Sequence, residues 1–158
     1  MTGMMGFEDL SPQQLADDAF GHLREGDNIS FTMRGNNIES VQPYIDVFEK
    51  RKIRVRVVKN QNDLQDFCYL MSAEKEYLAY TVSTFGVWAG WLGNASKVRL
   101  YTIQSSKRVK RWGDNWNLTF DLSNPVVRDR IHFEVYKTAE FIEQEMKEKE
   151  GAEEQSGP

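Results

Sequence analysis

Between residues 11 and 103, helical and strand-like patterns alternate through short connections, and this alternation constrains the fold more than any other property of the chain. Ser11-Pro12 opens the first helical segment, with Ser as cap and Pro in the first turn. Leu15, Ala19, Phe20 and Leu23 give that segment one apolar face, and Gly26-Asp27 ends it. The run "NISFTMRG" then places Ile29, Phe31 and Met33 on one side, as a strand does. Helical spacing returns with Ile38, Val41, Ile45 and Phe48, and "IRVRVVK" follows as a β-branched strand. In "DLQDFCYLMSAEK", Leu64, Phe67, Cys68 and Met71 share one helical face, which predicts Cys68 as a core residue. "EYLAYTV" is an apolar strand, "STFGVWAGWLGNAS" a helix opened by capping residues, and "KVRLYTI" a further strand.

Strands that alternate with helices in this way predict an α/β fold with a parallel sheet covered on both faces. A nearly continuous apolar strand such as "YLAYTV" fits a sheet with no solvated side. The expected class is therefore a Rossmann-like open parallel sheet. After Ile103 the character changes: "QSSKRVKRWGDNWN" is polar and basic, and "LTFDL" reads as a short strand. Ser123-Asn124-Pro125 starts a last helix, with Ile131, Val135, Ala139, Ile142 and Met146 as its apolar stripe. One α/β domain over residues 1–146 is expected, with its core in 29–103, a C-terminal helix over 125–146 and a disordered tail over 147–158.

With 158 residues the chain suits one domain. Its net charge of −4 supplies no general attraction for nucleic acid or anionic membrane. A single cysteine excludes an internal disulfide framework and suits a reducing compartment. No window approaches the ~20 apolar residues of a membrane span. The first residues do not read as a signal peptide, so a cytoplasmic location is the default expectation. On that expectation the sequons at Asn28, Asn94 and Asn117 are chance matches.

Two places can carry chemistry. Ser83-Thr84 lies where the most apolar strand gives way to a helix, the position at which open α/β sheets bind ligands. Free N–H groups and the helix dipole favour an anion there, and two hydroxyls add donors for phosphate. The competing reading is an ordinary helix cap, with Gly90 and Gly93 permitting close helix packing. Val82, Phe85, Trp88 and Leu92 read as the packing that fixes this junction. The end of "ISFTMRGNN" supplies Arg34, Asn36 and Asn37 at a second strand terminus, as ligand-facing groups or as a plain loop. "SSKRVKRWGDNW" interleaves basic and aromatic residues, which suits phosphate or single-stranded nucleic acid, or else a solvated loop.

The stretch "QDFCYLMSAEKEYLAYTVSTFGVWAGWLG" resembles the C-terminal signature of the fucosyltransferase-like glycosyltransferases, the group of α-1,2-, α-1,6- and protein O-fucosyltransferases. The matching residues are Asp66, Phe67, Leu70, Ala73, Ser83, Thr84, Phe85, Trp88, Ala89 and Leu92, over about 30 residues. Gly86 stands where the family usually has a second serine, and Val87 where tryptophan is common.

The resemblance implies the GDP-sugar-binding half of a GT-B-type transferase that works without a metal or other cofactor, GDP-fucose being the expected donor. It implies Asp66 on the guanine, Ser83 and Thr84 on the diphosphate, and Phe85 and Asn36 beside them. The family's H-x-R-x-[GT]-D motif, whose arginine stabilises the leaving diphosphate, finds a counterpart in "HLREGD", with His22, Arg24, Gly26 and Asp27. Arg24 and Arg34 are thus the two candidate catalytic residues. Implied partners are a GDP-sugar, a glycan or protein acceptor, and an acceptor half supplied by a longer chain or a second protein. The alternatives are a non-catalytic α/β interaction module that has lost the nucleotide site, and an RNA-binding protein using Lys107–Trp116.

Overall fold

A computed structural model describes residues 10–33, 38–59, 62–81, 83–104 and 120–155. In chain order the elements are α1 (Pro12–Gln14, continued by a π-helical turn, Leu15–Ala19), β1 (Asn28–Met33), a 3-10 turn (Ile38–Ser40), α2 (Gln42–Lys50), β2 (Arg54–Lys59) and α3 (Asp63–Met71). They continue with β3 (Glu76–Tyr80), α4 (Thr84–Leu92), β4 (Lys97–Gln104), α5 (Pro125–Arg130), β5 (Ile131–Lys137) and α6 (Ala139–Gln155).

All strand pairs are parallel, and they form two sheets, β1-β2 and β3-β4-β5. The class is the expected one, a Rossmann-like α/β fold with helices flanking parallel strands. In the register of β3, β4 and β5, Leu78 lies beside Arg99 and Tyr80 beside Tyr101, which in turn lies beside Glu134. These residues therefore share one face. There Leu78, Tyr80, Tyr101, Ile103 and Tyr136 pack with Ile29 and Phe31 of β1, so the two sheets share a core. Leu15, Ala16 and Ala19 of α1, with Tyr44 and Phe48 of α2, cover that face. On the opposite face Tyr77, Ala79, Val98, Leu100 and Ile131 meet Leu70 of α3 and Val87 and Ala89 of α4. Residues 77–80 of β3 are buried throughout, as a strand covered on both sides requires.

Close contacts explain two glycines. A Cβ on Gly90 would stand 2.6 Å from Tyr77 Cδ1, so α4 lies on the tyrosine ring only because position 90 has no side chain. A Cβ on Gly93 would stand 2.8 Å from Met71 Cα, where the ends of α3 and α4 converge. Arg130 then closes α4 from outside: Nε donates to Ala95 O (2.9 Å), Nη1 to Trp91 O (2.9 Å), and Nη2 to Gly90 O (3.1 Å) and Gly93 O (2.6 Å). Carbonyls at a helix end lack intrahelical donors, and a planar guanidinium satisfies several at once.

The C-terminal region corrects the sequence expectation. Residues 125–146 are not one helix but α5, then β5 paired along β4, then the start of α6. Ile131 is buried in strand β5, whereas Val135, Ile142 and Met146 are exposed. The stripe mixed a strand's period with a helix's, and pairing with β4 decided between them. α6 also continues through the residues expected to form a tail, as far as Gln155. Phe120–Leu122 forms no strand, and Phe120 packs instead against Trp91, with ring centroids 5.0 Å apart.

Cys68 is exposed rather than buried. α3 turns Asp66 and Leu70 inward, leaving Cys68 and Leu64 (71% exposed) outside. Phe85, Trp88 and Leu92 likewise point outward, and it is Gly86, Val87, Ala89 and Gly90 that face the sheet. α4 is apolar all round, so its periodicity left the inner face undetermined. Close approach to Tyr77 selects the small residues.

Candidate functional site

The elements that position the candidate site are β3, α3 and α4. Ser83 caps α4: its Oγ accepts from Gly86 N–H at 3.1 Å, and its carbonyl accepts from Val87 N–H at 2.9 Å. The cap reading is therefore realised, and the serine hydroxyl keeps its own proton to donate. Thr84 is exposed at the first helical position. Beneath them, Tyr77 donates its hydroxyl proton to Gly86 O at 2.8 Å, joining the first turn of α4 to β3. Burial pushes the Tyr77 hydroxyl well above the usual tyrosine range, so it remains a donor at all ordinary pH.

Asn62 caps α3 in the same manner, its side chain accepting from Gln65 N–H at 2.9 Å. Asp66 follows within the next turn and is only 8% exposed, although nothing in its sequence context marks it as an inward residue. Phe67 meets Phe85 edge-on, with centroids 5.1 Å apart. This contact packs α3 against the first turn of α4; Asp66 faces inward from α3, whereas Thr84 is exposed.

Arg24 lies elsewhere. It belongs to the turn before β1, where Nη1 donates to Gly21 O (3.2 Å) and Leu23 O (3.4 Å). Asp27 Oδ2 accepts from the Arg24 backbone N–H at 2.7 Å. In the same turn His22 Nε2 lies 3.0 Å from Glu76 Oε2, and Glu76 is the first residue of β3. Arg24 therefore stands at the amino ends of the strands, whereas Ser83 and Thr84 follow the carboxyl end of β3. "HLREGD" is a turn that closes on itself and does not join the Ser83 neighbourhood. Arg34, Asn36 and Lys107–Trp116 lie outside the described residues.

A second cluster went unread in the sequence because it is built by register. Arg99 of β4 is buried, yet Nε donates to Glu134 Oε1 (2.6 Å), Nη2 to Glu134 Oε2 (2.7 Å) and Nη1 to Glu76 Oε1 (2.5 Å). Nη1 also donates to Ala19 O (2.6 Å), at the end of the π-helical turn, and Nη2 to the Tyr136 hydroxyl oxygen (3.0 Å). Tyr136 in turn donates to Glu134. Burial disfavours the Arg99 charge, but the hydrogen bonds to Glu134 and Glu76 outweigh it and hold the guanidinium protonated. Burial likewise raises the Glu134 carboxyl, and hydrogen bonds from Arg99 and Tyr136 bring it below the usual glutamate range. The guanidinium donors are all matched, so the cluster acts as a clasp between strands and α1.

Among the described residues no group of three His, Cys, Asp or Glu side chains is arranged to hold a metal, and no helix is long and apolar enough to cross a membrane. Comparison with protein-family models, curated proteins and solved structures finds no match to this chain.

Proposed function

We propose that the chain is a nucleotide-sugar-binding α/β domain of the glycosyltransferase kind, taking a GDP-sugar at the carboxyl edge of β3. The observation that supports this reading is the Phe67–Phe85 contact, which packs α3 against the first turn of α4 that Ser83 caps. In this reading the Ser83 and Thr84 hydroxyls and the free N–H groups of the first turn donate to the diphosphate. Asp66 accepts from the guanine N1–H and amino group, a pattern adenine cannot offer. Phe85 flanks the site. GDP-fucose is the donor that the resemblance suggests, and the acceptor half comes from elsewhere in a longer chain or from a second protein.

Calorimetric titration with GDP, ADP and a short RNA tests the reading. GDP binding that Thr84→Val and Asp66→Asn each weaken about tenfold, with ADP bound more weakly, is the expected result. Equal affinity for GDP and ADP, or GDP affinity untouched by both substitutions, overturns the assignment. The outward-facing Leu64, Phe85, Trp88 and Leu92 favour a second reading, a non-catalytic interaction module. That reading predicts no nucleotide binding at all.

A further inference from the structure

Independently of nucleotide binding, α6 and β2 carry surfaces that suit each other. α6 is 17 residues long, and of its residues 139–152 only Phe141 and Glu145 are even half-buried. Lys137 anchors both, its Nζ 2.7 Å from Glu145 Oε2 and 5.7 Å from the Phe141 ring centroid. Ile142 (41% exposed) and Met146 (58%) stand one turn apart on the uncovered side. Glu143 and Glu150 flank them at helical spacing. Over residues 139–152 five glutamates (140, 143, 145, 148, 150) face two lysines (147, 149), giving 5 − 2 = 3 excess negative charges. A single helix of about this length is marginal in water without packing, so one stripe of α6 lacks cover.

β2 offers the complementary surface. Its Val55 and Val57 pack under α2, which leaves Arg54 and Arg56 exposed on the other face. Arg54 Nη2 donates to Gly26 O at 3.3 Å, and the Arg56 guanidinium lies 6.0 Å from the Tyr69 ring centroid. Among the described residues neither guanidinium is paired with a carboxylate. Toward Val58 the same face is covered, Val58 being half-buried and its register partner Thr32 buried, so its open part is Arg54, Arg56 and exposed Asn28. At ~1.5 Å per residue α6 spans about 26 Å, enough to cross a strand of ~20 Å.

We propose that these two surfaces meet between two copies of the chain, the α6 of each lying along the exposed Arg54–Arg56 portion of β2 of the other. Ile142 and Met146 lie over the apolar stems of Arg54 and Arg56, and Glu143 and Glu150 pair with their guanidinium groups. The exchange is reciprocal and closes as a two-fold dimer. Among the described residues Arg54, Arg56, Ile142 and Met146 stay exposed, and the opposite charges of the two surfaces argue for a second copy as the occupant.

Sedimentation equilibrium of the full chain over a concentration series tests this. The wild type is expected to dimerise, with dissociation promoted by about 1 M NaCl. Arg54→Glu/Arg56→Glu and Glu143→Arg/Glu150→Arg should each weaken the dimer roughly tenfold or more. The chain carrying all four reversals should dimerise again, a recovery that a merely unfolded variant cannot show. A monomeric wild type, a dimer indifferent to salt, a dimer unchanged by either pair of reversals, or no recovery in the fourfold variant would each overturn the proposal.

Discussion

Arg99 and Glu134 meet side-on across β4 and β5, through hydrogen bonds of 2.6 Å and 2.7 Å that a planar fork alone can make together. Removing the guanidinium takes the cation from two carboxylates, each about a quarter exposed, leaves Glu76 with His22 and Glu134 with the Tyr136 hydroxyl, and frees the Ala19 carbonyl. Arg99→Gln is expected to destabilise the fold by roughly 3 kcal/mol, read from urea unfolding, with Arg99→Lys recovering only part of it.

Glu134 gives that clasp a pH dependence. Its folded carboxyl titrates below the ordinary value of 4.5, so the folded state binds a proton less readily than the unfolded chain. The stabilisation is complete above the unfolded value and is lost as pH falls through the folded one. Urea midpoints measured from neutrality to about pH 3 should fall on the acid side, and less steeply in Glu134→Gln. An equally steep fall in the variant would show that Glu134 is not the responsible group.

Arg130 closes α4 through four carbonyls, and its guanidinium lies 5.6 Å from the Trp91 ring centroid. Arg130→Met keeps a long apolar stem but leaves those acceptors without donors. A loss of about 2 kcal/mol is expected. Hydrogen exchange should locate the loosening in the last turn of α4 rather than throughout the sheet.

Two glycine substitutions should act in opposite directions. Gly90→Ala drives a methyl into Tyr77 and is expected to cost about 1–3 kcal/mol. Around Gly151 of α6 a Cβ meets nothing within 4 Å, and Gly151→Ala should stabilise the helix by up to about 1 kcal/mol. Thermal melts of the two variants check both signs.

Capping and ligand contact can be separated at Ser83. Ser83→Ala removes the acceptor for Gly86 N–H and should cost about 1 kcal/mol, while Ser83→Asn, which can still cap, should cost much less. Thr84→Val leaves the cap intact, so an effect on GDP binding without an effect on melting assigns Thr84 to the ligand.

The alternation of segments, the parallel α/β class and the Ser83 cap were legible in the chain, because each rests on local periodicity or on one residue's hydrogen-bonding habit. Asp66 was singled out only through the resemblance, and its burial was not foreseeable: a carboxylate turns inward on the face through which α3 packs with Leu70. Cys68 was misplaced for the same reason, since an apolar stripe wider than the contact leaves part of itself outside. The helix expected over residues 125–146 failed because Ile131–Lys137 satisfies both periods weakly, and the free edge of β4 claimed it. No local pattern announces that Glu76, Arg99, Glu134 and Tyr136 converge, or that Arg130 reaches the end of α4. Those contacts join residues 23–40 positions apart, and only strand register and helix packing bring them within hydrogen-bond range. Local chemistry set the elements; their faces, and the charged clasps between them, were settled when the sheets took their register.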